Sequence, residues 1–195
     1  MFNGIIYSSG LAVIIKKNGK NSISLGIKTN LKVRKKEIGS SISCNGVCLT
    51  LVSVKNKILF FYVSKETLIK SNFRFIKIND KINLEKSLIY GQKISGHYVQ
   101  GHVDTVGVLK NIRLIDKSWV IKVGIKKEFI RFLIEKGSIA INGISLTISK
   151  IVKNTFQVAV IPHTLNNTNL NKLMVGDKVN IELDIFSKYL TNISK

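Results

Sequence analysis

The side chains best suited to chemistry lie in two related stretches of the chain. Residues 41–51 read SISCNGVCLTL and residues 138–148 read SIAINGISLTI, so Cys48 in the first stretch corresponds to Ser145 in the second. A thiol and a hydroxyl can both hydrogen-bond a polar ligand. Because a duplicated fold can diverge where chemistry divides the labour, this mismatch predicts two related but unequal pockets for two similar ligands in different roles.

The two stretches belong to a duplication that spans most of the chain. Gly46 and Gly143 are 97 positions apart. The same spacing joins further pairs: Gly4 and Gly101, Gly10 and Gly107, Asp80 and Asp177, Asn83 and Asn180, Glu85 and Glu182. A period this long is not that of a solenoid or a propeller and indicates a duplicated domain. We expect domains at 1–89 and 97–184, a linker at 90–96, and a short C-terminal helix at 185–195.

Four further polar positions differ between the two copies. The pairs are His102 opposite Ile5, Asp184 opposite Ser87, His163 opposite Glu66, and Gln100 opposite Asn3.

Each candidate also has a structural interpretation: Ser145 and Thr147 as plain strand residues, Cys48 as a buried small side chain, His102 as a loop histidine, Asp184 as a helix cap. His97 and His163 favour structural roles. No Ser/His/Asp or metal constellation and no phosphate-binding glycine loop is visible in the sequence.

The local pattern predicts an all-β fold. Asn45-Gly46 and Asn142-Gly143 are typical of type I′ hairpin turns, flanked by β-branched and small residues. Alternation along a strand puts Ser145 and Thr147 on one face. Further strands are expected at 58–63, 81–85, 119–125, 156–161 and 178–183, with helical turns at 66–70, 127–135 and 163–170. Many short strands without alternating long helices favour small closed or partly closed barrels, one in each copy of the duplicated domain.

Composition narrows the possible classes of protein. The formal charge of +20 would suit a nucleic-acid binder, but the lysines are spread along both halves and only KVRKK, at 32–36, is dense. We attribute the charge mainly to compositional drift.

No apolar run reaches the length of a membrane span, and the N-terminus lacks a signal-type pattern, so we expect a cytoplasmic protein without a membrane segment. Cys44 and Cys48 are expected to be free thiols.

Six motifs together resemble the riboflavin synthase family (alpha chain), whose barrels bind lumazines. They are MFNGII, GSSISCNGVCLTL, SGHYVQGHVD, KGSIAINGISLTI, IPHTLNNTNL and GDKVNIELD, in order from Met1 to about Asp184. The resemblance implies two similar six-stranded antiparallel β-barrels in tandem, a C-terminal helix and a homotrimer. It also implies dismutation of two 6,7-dimethyl-8-ribityllumazine molecules into riboflavin and a ribitylamino-pyrimidinedione. It implies no cofactor and no metal. A lumazine synthase shell is left open as a partner.

The resemblance also assigns substrate-binding residues to each barrel. The first barrel would use Gly4, Ile5, Ile6, Cys48, Leu49, Thr50, Tyr62, Val63, Ser64, Lys65, Glu66 and Thr67. The second would use Gly101, His102, Val103, Lys136, Ser145, Leu146, Thr147, Ile161, Pro162, His163 and Thr164. In the family, the productive site forms between the first barrel of one subunit and the second barrel of its neighbour.

The reaction would require mainly the orientation of two rings, with modest proton transfer. We expect His102 and Thr147 to assist deprotonation of the substrate's acidic methyl group. Ser145 or Cys48 would assist addition at the partner ring. Asp184 would orient groups or shuttle protons, and Phe2 would pack on a ring.

Two features depart from the family, and two other functions stay open. Asn3 replaces the usual Thr and should keep its hydrogen bonding, and the tail ending at Lys195 is shorter than the family's helix.

One alternative function is a non-catalytic lumazine carrier or fluorescent protein. The other is a basic barrel that binds nucleic acid, which would need aromatic platforms beside its lysines.

Overall fold

The computed structural model describes residues 1–19 and 21–193 and contains two closed antiparallel barrels of six strands each. This confirms the predicted fold class. Among the described residues, no helix has the length and apolar character needed to cross a bilayer.

The first barrel closes in the order β1-β2-β5-β4-β3-β6. Its strands are β1 (Ser8–Asn18), β2 (Ser22–Thr29), β3 (Ser41–Cys44), β4 (Val47–Lys55), β5 (Ile58–Val63) and β6 (Lys81–Lys86). Between β5 and β6 lie helix α1 (Lys65–Lys70) and a 3₁₀ turn (Asn72–Phe75), and another 3₁₀ turn (Lys35–Glu37) precedes β3.

The second barrel repeats this arrangement in the order β7-β8-β11-β10-β9-β12. Its strands are β7 (Thr105–Ile115), β8 (Ser118–Gly124), β9 (Ser138–Ile141), β10 (Ile144–Val152), β11 (Thr155–Val160) and β12 (Lys178–Leu183). Helix α2 (Pro162–Asn167) and 3₁₀ turns at Lys127–Phe132 and Asn169–Lys172 occupy the connections. Helix α3 (Ile185–Ile193) follows β12, and the last two positions of its predicted range lie outside the described residues.

The Asn-Gly hairpins form as the sequence predicts. Asn45 and Gly46 have φ of 48° and 78°, and Asn142 and Gly143 have the same two values. Positive φ at both central residues defines the type I′ turn, whose twist matches that of the flanking strands. Each hairpin therefore fixes the register of one strand pair, β3 with β4 and β9 with β10.

Alternating apolar residues fill each barrel. Leu25, Leu51 and Val63 are fully buried in the first barrel, and Ile148 and Val158 are fully buried in the second. Burying such a side chain contributes roughly 1.5–3 kcal/mol, so each small domain has its own apolar core.

The barrels pack on each other through a buried network of asparagines. The Nδ2 of Asn83 donates to the carbonyl of Asn142 at 3.0 Å, and the Nδ2 of Asn180 donates to the carbonyl of Asn45 at 2.8 Å. These two bonds are equivalent under the 97-residue repeat. Because a buried amide is costly unless it is hydrogen-bonded, the network favours one relative placement of the two barrels.

Candidate active site

The segment before the first barrel crosses over to the second barrel. The carbonyl of Gly4 accepts a hydrogen bond from the N–H of Ser145 at 2.8 Å. Ile6, two residues further on, is buried within the apolar core of the second barrel. Residues 4–6 therefore form part of a surface around the start of β10, which we call the serine pocket.

The segment before the second barrel crosses in the opposite sense. The carbonyl of Gly101 accepts a hydrogen bond from the N–H of Cys48, also at 2.8 Å. Val103 packs against the apolar core of the first barrel. Residues 101–103 therefore lie with the start of β4, in what we call the cysteine pocket.

This crossing corrects how the sequence-based assignment grouped the predicted residues. We expected Gly4, Ile5 and Ile6 with Cys48, and Gly101, His102 and Val103 with Ser145. The structure exchanges the two glycine segments, because each one pairs with the strand of the opposite barrel. Each pocket thus contains residues from both halves of the chain.

Two buried carboxylates hold the crossing segments in place. Glu85 accepts from the N–H groups of Asn3 at 2.7 Å and Gly4 at 3.0 Å. Glu182 accepts from Gln100 at 2.6 Å and from Gly101 at 2.9 Å. Both residues are buried. In the sequence, the two glutamates stand out only as matching positions of the repeat, and the pattern predicts no role for them.

Burial sets the acidity of these carboxylates. Burial raises the pKa of Glu85 to about 7, although the N–H groups of Asn3 and Gly4 favour the ionised form. Burial also raises the pKa of Glu182 above its ordinary value, again opposed by the two N–H groups that it accepts. Desolvation therefore dominates at both carboxylates.

His97 lies directly behind Ser145. Its Nδ1 is 2.7 Å from the Ser145 hydroxyl oxygen, and its Nε2 finds no hydrogen-bond partner among the described residues. Burial lowers the pKa of His97, and the charge of the nearby Asp184 opposes that shift. A neutral imidazole with its proton on Nε2 can accept the hydroxyl proton of Ser145 at Nδ1.

The contact of His97 with Ser145 was not predicted, because the sequence favours a structural role for this histidine. The repeat comparison could not find it, since the position 97 residues earlier would precede Met1. The motif SGHYVQGHVD, which includes His97, was the available indication. Gly96 in the same motif explains the close approach, since a Cβ at that position would lie 2.8 Å from the Cβ of Ser145.

The other predicted residues of the cysteine pocket surround the start of β4. The pairing of Leu51 with Phe61 in β4 and β5 directs the end of β5 toward Cys48. The end of β5 and the start of α1 supply the predicted run Tyr62, Val63, Ser64, Lys65, Glu66 and Thr67. Within this run the Val63 side chain is buried, whereas the Tyr62 side chain is 55% exposed. The hydroxyl of Ser64 caps α1 by accepting from the N–H of Thr67.

The serine pocket has the corresponding arrangement. The pairing of Ile148 with Val158 directs the end of β11 toward Ser145, and the predicted run Ile161, Pro162, His163 and Thr164 follows there. Lys136 is exposed and donates its backbone N–H to the carbonyl of Ile148 at 2.8 Å. Thr147 is exposed on the same face of β10 as Ser145, whereas the intervening Leu146 is buried.

The predicted proton-transfer residues are divided between the two pockets. His102 belongs to the cysteine pocket and Thr147 to the serine pocket, so one chain does not bring this expected pair into a single pocket. Asp184 accepts from the N–H of Phe186 at 3.0 Å, as a residue at the start of α3 can, and it also lies near His97. A capping role and a role beside His97 are therefore compatible for Asp184.

Phe2 does not offer a ring to a ligand in this chain. Its side chain is 0% exposed and packs against Val99, Ala140 and Cys48. An isolated backbone pairing between Phe2 and Val99 links the two crossing segments. The expectation that Phe2 packs on a substrate ring is therefore corrected: Phe2 packs inside the protein, below Cys48.

Asn3 keeps a hydrogen-bonding role, as expected. Its Nδ2 donates to the carbonyl of Lys93 at 3.0 Å, and its Oδ1 accepts from the N–H of Ser95 at 2.9 Å. These bonds tie the linker to the start of the chain.

Both cysteines are free thiols, with Cys44 buried and Cys48 half-buried. Across residues 1–19 and 21–193, no group of three or more His, Cys, Asp or Glu side chains is arranged to hold a metal ion.

Comparison with known proteins is consistent with this duplicated architecture. The family described as the lumazine binding domain matches twice, at residues 3–87 and 100–184. Riboflavin synthase of Chlamydia pneumoniae is 40% identical over 189 residues, covering 96% of this chain and 92% of that protein. Riboflavin synthase of Photobacterium leiognathi is 36% identical over 197 residues, covering 100% and 89% respectively.

A solved structure shares the whole fold. LumP complexed with 6,7-dimethyl-8-(1′-D-ribityl) lumazine superposes with a TM-score of 0.81 at 25% identity, covering 93% of this chain and 98% of that one. The two domain matches and the full-length relatives together cover both barrels of this chain. The chain belongs to the riboflavin synthase family and contains two copies of the lumazine binding domain.

Proposed function

We propose that this chain is a riboflavin synthase, a transferase that moves a four-carbon unit between two molecules of 6,7-dimethyl-8-ribityllumazine. One molecule loses the two ring carbons and two methyl groups that the other gains. The products are riboflavin and 5-amino-6-(ribitylamino)uracil. Both substrates are the same compound, so the protein must bind one molecule as donor and the other as acceptor.

The observation that carries this proposal is the pair of crossed, unequal pockets. Each pocket combines a glycine segment from one half of the chain with a strand of the opposite barrel, Gly4 with Ser145 and Gly101 with Cys48. The backbones of the two pockets match, so both suit a lumazine. Their polar groups differ, with Ser145 and His97 in one pocket and Cys48 and His102 in the other, which supports different roles for the two bound molecules.

The serine pocket contains the better arranged proton-transfer pair. The neutral His97 imidazole is within hydrogen-bond distance of the Ser145 hydroxyl, so it can accept that proton as the oxygen interacts with a substrate ring. Asp184 offsets part of the burial effect on His97 and would stabilise the transient imidazolium. Ser145 would thus assist addition, with His97 as its base.

The cysteine pocket would hold the second lumazine. Cys48 is half-buried beside Gly101, and His102 is exposed next to it. Because His102 and Thr147 lie in separate pockets of one chain, their joint action requires the cysteine pocket of one subunit to face the serine pocket of another. This supports the homotrimer implied by the family, with the reaction taking place between subunits. The cytoplasmic location and any lumazine synthase partner remain predictions.

The rival function is a lumazine carrier without turnover. The structural match to LumP in complex with a lumazine favours this function. A carrier needs only one pocket that binds lumazine tightly, so it does not require two unequal pockets. Visible absorbance distinguishes the two functions: an enzyme converts added lumazine to riboflavin over many turnovers per chain. A carrier would shift the lumazine spectrum in proportion to the protein added and then show no further change, which would overturn the proposal.

A further inference from the structure

A groove of about 500 Å³ lies between the two barrels, away from both pockets. It is lined by equivalent residues of the two copies, including Asn72 with Asn169, Lys81 with Lys178, and Asp80 with Asp177. None of its lining residues belongs to the serine or cysteine pocket. The groove therefore needs an explanation of its own.

The groove has an excess of positive charge. Lys77, Lys81, Lys172 and Lys178 line it together with Asp80 and Asp177, so the lysines outnumber the carboxylates by two. Each aspartate is already engaged by its own turn. Asp80 accepts from the N–H of Lys77 at 2.7 Å, and Asp177 accepts from the N–H of Met174 at 2.8 Å.

The two ends of the groove have diverged. On one side, the ammonium of Lys178 lies 3.4 Å from the centre of the Phe75 ring, a favourable cation–π contact. The residue equivalent to Phe75 in the second copy is Lys172. On the other side, Lys81 interacts with the positive charge of Lys172, where its counterpart Lys178 contacts a ring.

Lys81 is held in this unfavourable position. Its Nζ donates to the carbonyl of Thr168 at 2.7 Å. Burial lowers the pKa of Lys81, and the positive charge of Lys172 lowers it further. Within the described part of the chain, neither ammonium forms an ion pair with a carboxylate. Two like charges converge without a counterion, which is the arrangement that an anion would stabilise.

The groove also offers contacts for an organic group. Phe73, Phe75 and Leu173 contribute apolar surface to its lining. The buried Oδ1 of Asn72 finds no hydrogen-bond donor among the described residues. A ligand that carries hydroxyl or amine donors would satisfy this oxygen.

We propose that the groove binds a small phosphorylated molecule, with its phosphate between Lys81 and Lys172 and its organic part against Phe75 and Leu173. The volume suits a ligand the size of a nucleotide. This site is independent of the proposed riboflavin synthase activity, since the two share no residue.

The test is calorimetric titration of the full-length chain with ADP and, separately, with pyrophosphate, at low salt. We expect saturable binding of ADP that is tighter than that of pyrophosphate. Lys172→Phe, which restores the residue of the other copy, and Lys81→Gln should each weaken ADP binding about tenfold or more. Lys150→Gln removes an exposed lysine outside the groove and should change ADP affinity less than about twofold, because a solvated charge outside the site contributes little.

Several results would overturn the proposal. No saturable binding, or an equal loss in Lys150→Gln, would mean that the lysines attract anions without forming a site. Equal affinity for pyrophosphate and ADP would exclude the contacts to the organic part. Binding of single-stranded oligonucleotides alone would identify a nucleic-acid surface instead. Because Lys172 is exposed, Lys172→Phe should fold normally, which lumazine binding in the same preparation checks.

Discussion

The Nδ1 of His97 lies 2.7 Å from the hydroxyl oxygen of Ser145, although the two residues are 48 positions apart and belong to different segments. The segment before the second barrel thus supplies a base to a strand of that same barrel. Gly96 allows this approach, because a side chain there would collide with Ser145. This pair is the central chemical feature of the proposed site.

Removing either member of this pair should impair turnover. We expect Ser145→Ala and His97→Gln each to lower the rate of riboflavin formation about 100-fold or more, since proton transfer by a placed group contributes that much. The double variant should be little worse than either single one, because the pair acts as a unit. Ser149→Ala removes a hydroxyl from the same strand, where it bonds the carbonyl of Gln157, and should leave the rate unchanged.

The dependence of the rate on pH provides a second test of the same pair. Because burial lowers the pKa of His97, the imidazole should stay neutral until the pH falls below about 6.5, the ordinary value for histidine. Wild-type activity should then decline on the acid side, and Ser145→Ala should lose that decline. An unchanged acid limb in Ser145→Ala would show that another group titrates.

The crossing of the two glycine segments should tolerate no side chain. A Cβ at Gly101 would lie 2.6 Å from the Cβ of Cys48, and the residue has a φ of +81°. Gly91 has nearly the same φ, +80°, but no atom lies within 4 Å of the place where its Cβ would be, so Gly91→Ala carries the backbone strain without the collision. We expect Gly101→Ala to be less stable than Gly91→Ala by about 1–3 kcal/mol and to lose activity.

Chemical unfolding of both glycine variants, together with their turnover rates, checks this expectation. Gly4→Ala should behave like Gly101→Ala, because its Cβ would lie 2.6 Å from the Cβ of Ser145. Equal stability and activity of Gly101→Ala and Gly91→Ala would mean that the crossing segments are not packed as described.

The buried Glu85 should make stability depend on pH in an unusual direction. Its pKa rises from an ordinary 4.5 to about 7 on folding, so the folded state holds a proton that the unfolded state has lost between those values. The contribution of Glu85 to the free energy of unfolding is therefore largest below about pH 4.5. It decreases by roughly 3 kcal/mol as the pH rises to about 7. Glu182, whose pKa is also raised, acts in the same direction.

Denaturant unfolding of wild type and Glu85→Gln between about pH 4.5 and 8 isolates this contribution. The stability advantage of wild type over the variant should shrink as pH rises, while the opposite contribution of His97 cancels in the difference. Glu128→Gln, at an exposed position, should show a constant difference. A wild-type advantage that grows with pH would contradict the assignment of burial as the dominant cause.

The sequence predicted the parts of the fold that local chemistry determines. Both Asn-Gly hairpins and the strands Ile58–Val63 and Lys178–Leu183 form as expected. The bounds of β1, β2 and β7 do not follow from the pattern. A bulge between Ala12 and Ile14 interrupts the alternation of β1, another between Leu109 and Asn111 interrupts that of β7, and Gly26 weakens the pattern of β2.

The crossed pockets depend on contacts that no local pattern contains. Gly4 and Ser145 are paired although they lie 141 positions apart (145 − 4), and the repeat alone is equally compatible with each segment packing on its own barrel. The equivalence of Glu85 and Glu182 was visible, but their role follows only once both segments are in place. The sequence therefore identified the residues of the pockets better than their grouping.

The most direct test of the proposed activity is to measure its stoichiometry, the ratio of products formed to lumazine consumed. The purified chain is incubated with 6,7-dimethyl-8-ribityllumazine, and the substrate and both products are quantified by chromatography over time. The proposed activity predicts one riboflavin and one 5-amino-6-(ribitylamino)uracil for every two lumazines consumed, over many turnovers. Lumazine that is bound but recovered unchanged would contradict it and assign the chain to the carriers.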